Sequence, residues 1–175
     1  MKLNEAIALI RNDFISSINS PMTWTDLGCG SGLFTNALSN LLKKESKIFA
    51  VDHNLSAFKN VSGSDANIIE TIEADFINNE LPVSQLDGIL MANSLHYVAA
   101  KIPFINKIKR LLRDEGCFLI VEYERDNANQ WVPYPINFSL LRNLFQEAGY
   151  SSINKLHERS SIYDQSKIYS ALIRK

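Results

Sequence analysis

The run Thr23 to Gly32 (T-W-T-D-L-G-C-G-S-G) carries an apolar, strand-like segment into three glycines spaced two apart, and a helical pattern begins immediately after it. No other feature restricts the fold as much. Gly28, Gly30 and Gly32 lack Cβ and tolerate positive φ, so the main chain can turn sharply and a ligand can lie against it. Leu33, Phe34, Ala37, Leu38, Leu41 and Leu42 then recur at helical spacing. The first amide groups of that helix point at whatever fills the turn. Strand, glycine turn and helix in this order form the nucleotide-cofactor corner of doubly wound α/β folds.

The rest of the chain repeats the alternation. Leu3, Ala6, Ile7, Ile10, Phe14 and Ile18 predict one amphipathic helix from Leu3 to Ile18, broken by Ser20-Pro21. Strands are expected at Trp24 to Leu27, Lys47 to Asp52, Asn67 to Ala74, Leu86 to Ala92 and Cys117 to Tyr123. The last of these is an apolar run suited to a strand covered on both faces. Helices are expected from Leu33 to Leu42, from Asn54 to about Val61 and from Val98 to Leu112, the last closed by Gly116, with Ser62 to Asp65 a loop. A further helix spans Phe138 to Ala148 and ends at Gly149. Tyr150 to His157 and Lys167 to Ile173 then pair as a hairpin.

This pattern implies an α/β fold: a doubly wound, mainly parallel seven-stranded sheet with helices on both faces and a C-terminal antiparallel hairpin. Ligands in such sheets bind at the carboxyl ends of the strands. Asp26 to Gly32, Asp52, Asp75 and Asn93 to Tyr97 should therefore converge.

At 175 residues the chain reads as a single domain, 1–175, with residues 1–20 forming a helix that flanks the site. With 46% hydrophobic and 21% charged residues it has the composition of an ordinary globular protein. A formal net charge of -1 supplies no field that would draw nucleic acid or an anionic membrane. Cys29 and Cys117 have neither metal-ligand nor disulfide-framework spacing. No secretory signal or membrane-spanning run is read, so a cytoplasmic setting is expected.

The constellation resembles the class I, Rossmann-like S-adenosylmethionine-dependent methyltransferases over nearly the whole chain. The matching motifs are D-x-G-x-G-x-G at Asp26, Gly28, Gly30 and Gly32, an acid closing the second strand at Asp52, and A-D-F at Ala74 to Phe76. The stretches L-D-G-I-L-M-A-N-S-L-H-Y and L-L-R-D-E-G-C-F-L-I-V add to them. The resemblance implies S-adenosyl-L-methionine as cofactor. It places Asp26 against the methionine ammonium, Gly28, Cys29, Gly30 and Gly32 along the methionine moiety, and Asp52 on the ribose hydroxyls. Asp75 would accept from the adenine amino group, the Phe76 amide would donate to the ring, and His53 and Asn93 would border the cofactor.

Methyl transfer from a sulfonium is an in-line displacement, so the protein mainly positions the reactants. An acceptor that must lose a proton gains from a general base, and His96 and Tyr97, just past the fourth strand, are the catalytic candidates. Asn93-Ser94-Leu95-His96 replaces the N/D-P-P-Y/F of the amine-methylating branch, and the Asp-Asn pair of the metal-dependent catechol-type enzymes does not follow Asp75 or Asp87, so no metal is expected. A small-molecule acceptor fits best, with protein or RNA left open, and Trp131, Tyr134 and Arg125 are candidate acceptor contacts. Two other readings stand beside this one. One is a non-catalytic S-adenosylmethionine-binding module. The other is an NAD(P)-dependent oxidoreductase, opposed by Leu33 where the dinucleotide fingerprint carries Gly or Ala.

Overall fold

The computed structural model describes residues 1–59, 67–160 and 167–175. The chain begins with α1 (Leu3–Ile10) and α2 (Asp13–Ser17), then β1 (Thr23–Leu27), α3 (Leu33–Ser39), β2 (Lys47–Asp52), β3 (Ile68–Glu73) and β4 (Leu86–Ala92). It continues through α4 (Lys101–Ile108), β5 (Leu112–Glu124), α5 (Phe138–Glu147), β6 (Ser152–Ser160) and β7 (Lys167–Arg174). The seven strands form one sheet in the order β3-β2-β1-β4-β5-β7-β6. β1 pairs in parallel with both β2 and β4, so the connections reverse direction across the gap above β1 and β4. β7 runs antiparallel to β5 and to β6, which closes the sheet with the expected hairpin.

Strand alternation sorts the core into two layers. Cys117, Leu119 and Val121 face α1, α2 and α3 together with Trp24 and Leu90. Phe118 and Ile120 face α4 and α5 together with Ile89 and Met91. The contact under β1 is tight: a Cβ on Gly88 would stand 2.4 Å from the Trp24 ring, so β4 can pass this indole only as glycine.

Several elements differ from the sequence-based expectation for local reasons. The N-terminal helix is two helices, because the Asn12 side chain accepts from the Ile15 amide and starts α2 afresh. Leu55–Ala57 is a single 3₁₀ turn, and the expected helix end at Val61 and the Ser62 to Asp65 loop lie outside the described residues. Helix α4 ends before Leu112 because Leu112 already pairs with Leu86. The register then shifts so that Gly88 meets Cys117, leaving Gly116 inside an irregular stretch of β5 rather than at a helix end. A Cβ there would lie 2.9 Å from the Leu112 side chain. The cations of the Lys101 to Arg113 segment fasten neighbouring elements: Lys107 donates to the Ile77 and Asn79 carbonyls, Lys109 to Ala148, and Arg113 pairs with Asp87.

Candidate active site

The ends of β1, β2 and β4 are locked together at the glycine corner. The Gly28 and Cys29 amides both donate to the Val51 carbonyl, at 2.8 and 3.0 Å, and the Gly30 amide donates to Asp52 Oδ2 at 2.9 Å. Ser94 Oγ donates to the Leu27 carbonyl at 2.6 Å. Gly28 has φ +82° and would bring a Cβ to 2.5 Å from the Ser94 Cβ, so backbone and β4 loop approach as closely as glycine permits. Gly30, with φ +50°, has nothing within 4 Å of where a Cβ would stand. The corner therefore has a braced back and an open front.

That front belongs to a cavity of about 550 Å³ lined by Asp26, Gly28, Cys29 and Gly30 from the corner, Asp52 and His53 from the end of β2, and Phe76, Asn93 and Tyr97. Asp26 is fully buried. Its Oδ2 accepts from Thr35 Oγ at 2.6 Å, while its Oδ1 is buried with no partner. Burial pushes this carboxyl up to about 7, against a downward pull from the Thr35 hydroxyl, and the nearby Asp52 charge adds to the rise. Asn93 closes β4 with φ +54°, unusual for a residue with a side chain, and its Oδ1 is also buried without a partner. Two orphaned acceptors beside an open glycine turn suit an ammonium group lying along the main chain. The donor set of this cavity thus fits the methionine end of S-adenosylmethionine.

Asp52 Oδ1 accepts from the Asn54 amide at 3.1 Å and stands 3.0 Å from His53 Nδ1, while its Oδ2 holds Gly30. Oδ2, which holds only the Gly30 amide, keeps lone-pair capacity, and Asp52 lines the cavity. Phe76 is buried at the cavity edge against Phe104. Asp75 is placed otherwise. Its carboxylate accepts from the Ile77 and Asn78 amides and the Asn78 side chain, which hold it below the usual range, and it does not line the cavity. Burial raises the Cys29 thiol, with the Asp26 and Asp52 charges adding to the rise.

A second cavity of about 580 Å³ abuts the first and shares Asn93 and Tyr97 with it. His96, Tyr123, Arg125, Asn129, Trp131 and Val132 complete its walls. His96 is buried in the turn after β4, with Nδ1 2.7 Å from Glu122 Oε2, and its amide donates to Glu122 Oε1 at 3.0 Å. The Glu122 carboxylate is itself buried near the end of β5. A carboxylate only accepts, so Nδ1 carries a proton, and in the neutral ring Nε2 is then the nitrogen with the lone pair. Tyr97 is half exposed and packs on His96, with ring centroids 4.4 Å apart. Of the aromatic candidates beyond β5, Trp131 lines this cavity, whereas Tyr134 lies outside it with Lys101 5.3 Å from its ring. His157 bonds the Arg11 carbonyl at 2.9 Å, away from both cavities. Glu122 was not among the candidates read from the sequence, although a lone acid in the apolar run Cys117 to Tyr123 is itself a signal.

Comparison with known proteins agrees with this geometry. No curated protein matches the chain significantly in sequence. Among solved structures, a candidate O-methyltransferase from Nostoc punctiforme PCC 73102 superposes with a TM-score of 0.72 at 20% identity, covering 99% of this chain, which spans only 56% of that protein's length. A SAM-dependent methyltransferase from Aquifex aeolicus matches over 98% of both chains at a TM-score of 0.64 and 16% identity. The 1,6-didemethyltoxoflavin-N1-methyltransferase of Burkholderia thailandensis, solved with 1,6-didemethyltoxoflavin and S-adenosylhomocysteine, matches at a TM-score of 0.68 and 18% identity, covering 99% of this chain and 77% of that one. These likenesses concern the fold. The family model described as "Methyltransferase domain" matches residues 25–120, more than half of the sequence and the whole span from β1 to the middle of β5, so the chain belongs to the class I S-adenosylmethionine-dependent methyltransferase family.

Proposed function

We propose that this chain transfers a methyl group from S-adenosylmethionine to a small acceptor bearing an ionisable O–H or N–H, held in the cavity beside His96. The carrying observation is the wall shared by the two cavities, Asn93 and Tyr97, with the buried His96–Glu122 pair at the edge of the second. Bound in the first cavity, the cofactor supplies a methyl on a sulfonium sulfur, which leaves as a neutral thioether as the methyl carbon bonds the acceptor. Asp26 and Asn93 hold the ammonium end, Asp52 takes the ribose, and Tyr97 covers the passage between the cavities. His96 Nε2 takes the acceptor's proton, and Glu122 fixes the tautomer and steadies the imidazolium that forms. Trp131 and Tyr123 line this cavity and offer faces against which a planar acceptor can lie.

The test is incubation with S-adenosylmethionine and a panel of phenols, heteroaromatic N–H compounds and small acids, followed by mass spectrometry. The expected result is a one-methyl gain on a planar protic acceptor, strongly reduced in His96→Gln. Tight S-adenosylhomocysteine binding without turnover on any acceptor class or cell extract would replace this reading with a non-catalytic binding module, and NADH binding without S-adenosylhomocysteine binding would favour an oxidoreductase.

A further inference from the structure

A third, smaller cavity of about 160 Å³ adjoins the methionine end of the cofactor cavity. Leu33 and Phe34 at the start of α3, and Asn93 at the end of β4, line both. Its far side is formed by Arg159 and Ser160 at the end of β6, with Met1, Tyr123 and Ile168. Arg159 is held from one side only. Its Nη2 donates to Glu5 Oε1 of α1 at 2.9 Å, while Nη1 is buried and makes no hydrogen bond. An unpaired buried donor on a cation is costly unless an anion meets it.

The orphaned groups around this junction come in complementary signs. Asp26 Oδ1 and Asn93 Oδ1 lack a donor, and Arg159 Nη1 lacks an acceptor. A free α-amino acid carries an ammonium and a carboxylate on one carbon, and Leu33, Phe34 and Asn93 line both the cavity that holds Asp26 and the one that holds Arg159. We infer that Arg159 and the small cavity form the binding site for the α-carboxylate of the cofactor's methionine moiety. The site is assembled from opposite ends of the chain, since Glu5 orients the guanidinium from α1 while β6 supplies it. A guanidinium with one arm tied to Glu5 presents the other in a fixed plane, which suits a carboxylate oxygen.

This inference rests on the assignment of the cofactor, and calorimetry separates the two. S-Adenosylhomocysteine and S-adenosyl-thiopropylamine, the same molecule without its carboxylate, are titrated into the full chain and into Arg159→Gln. The wild-type protein is expected to bind S-adenosylhomocysteine roughly 10- to 100-fold more tightly than the decarboxylated compound, as for one hydrogen bond to a charged group. Arg159→Gln is expected to lose that preference by weakening S-adenosylhomocysteine alone. Arg159→Lys, which keeps the charge, should retain part of it. An unchanged preference in Arg159→Gln, or an equal loss for both ligands, overturns the inference while leaving the cofactor assignment intact. Failure of the wild-type protein to bind either compound would overturn both.

Discussion

His96 Nδ1 stands 2.7 Å from Glu122 Oε2, and neither side chain is more than 2% exposed. A charge-bearing pair this dry holds its geometry without help from solvent, so its two members act on chemistry in different ways. His96→Gln removes the proton acceptor and should lower kcat/KM for a protic acceptor by about 10²- to 10⁴-fold. Glu122→Gln keeps a bond to Nδ1 but not the charge and should cost roughly 10- to 100-fold, mostly in kcat, with S-adenosylhomocysteine binding unchanged. Equal losses of binding and turnover in both variants would point to a structural pair instead.

The same pair has a signature in stability. Replacing His96 with Ala leaves the Glu122 carboxylate buried without its ring partner, a change expected to cost about 3–5 kcal/mol in denaturant unfolding. A cost under about 1 kcal/mol would mean that Glu122 regains water or another donor once the ring is gone.

With the cofactor's ammonium at Asp26, as proposed, binding should respond to pH. Its carboxyl is pushed up to about 7 from an ordinary value of 3.8. The unfolded chain gives up this proton first, so the free protein loses stability as pH rises through that interval, by at most about 4 kcal/mol, and the loss is complete above the folded value. Asp26→Asn should therefore be more stable than the wild type in the absence of ligand at pH 8, with the gap closing toward pH 4. An ammonium beside Oδ1 favours the ionised form, so S-adenosylhomocysteine affinity should rise up to about tenfold per pH unit below the folded value. In Asp26→Asn it should be weaker and flat with pH, which calorimetry at several pH values would check.

The glycine corner separates folding from binding. Gly28→Ala forces a Cβ to 2.5 Å from the Ser94 Cβ at a φ of +82°, so it should destabilise the fold by several kcal/mol and lower the melting temperature. Gly30→Ala meets nothing within 4 Å and should cost only about 1–2 kcal/mol in stability, from its positive φ. Its methyl would stand where the ligand lies, so S-adenosylhomocysteine affinity should fall by more than about tenfold. Reversed outcomes would show that the open side of the turn is not the binding side.

Much of the architecture was legible because the central strands are buried on both faces. Lys47 to Asp52 and Leu86 to Ala92 coincide with β2 and β4, since continuous apolar runs bounded by polar turns have few other homes. The placement of Asp26 and of Asp52 at one cavity was legible because each lies at or near the end of a strand that leads to the glycine corner. What escaped depends on tertiary pairing. Gly116 reads as a helix stop, yet the pairing of Leu112 with Leu86 had already ended the helix and used the glycine in an irregular strand. Asn12 restarts a helix through a side-chain bond that periodicity does not register. Glu122 and Arg159 become functional candidates through distant residues, His96 and Glu5; the apolar run around Glu122 flags a buried acid but not its partner, and no local pattern marks Arg159. Asp75 shows the reverse case, a motif residue whose carboxylate is spent on its own turn.

The cofactor corner is welded from three strand ends, whereas the outer wall of the second cavity is one irregular stretch, 125–132, shaped largely by Asn129, whose Oδ1 caps the Trp131 and Val132 amides. Such a division makes the chain a chassis with an exchangeable fitting. On the proposed function, selection or an engineer could recut the acceptor's berth by exchanging that segment, and the corner would inherit the new specificity without being rebuilt.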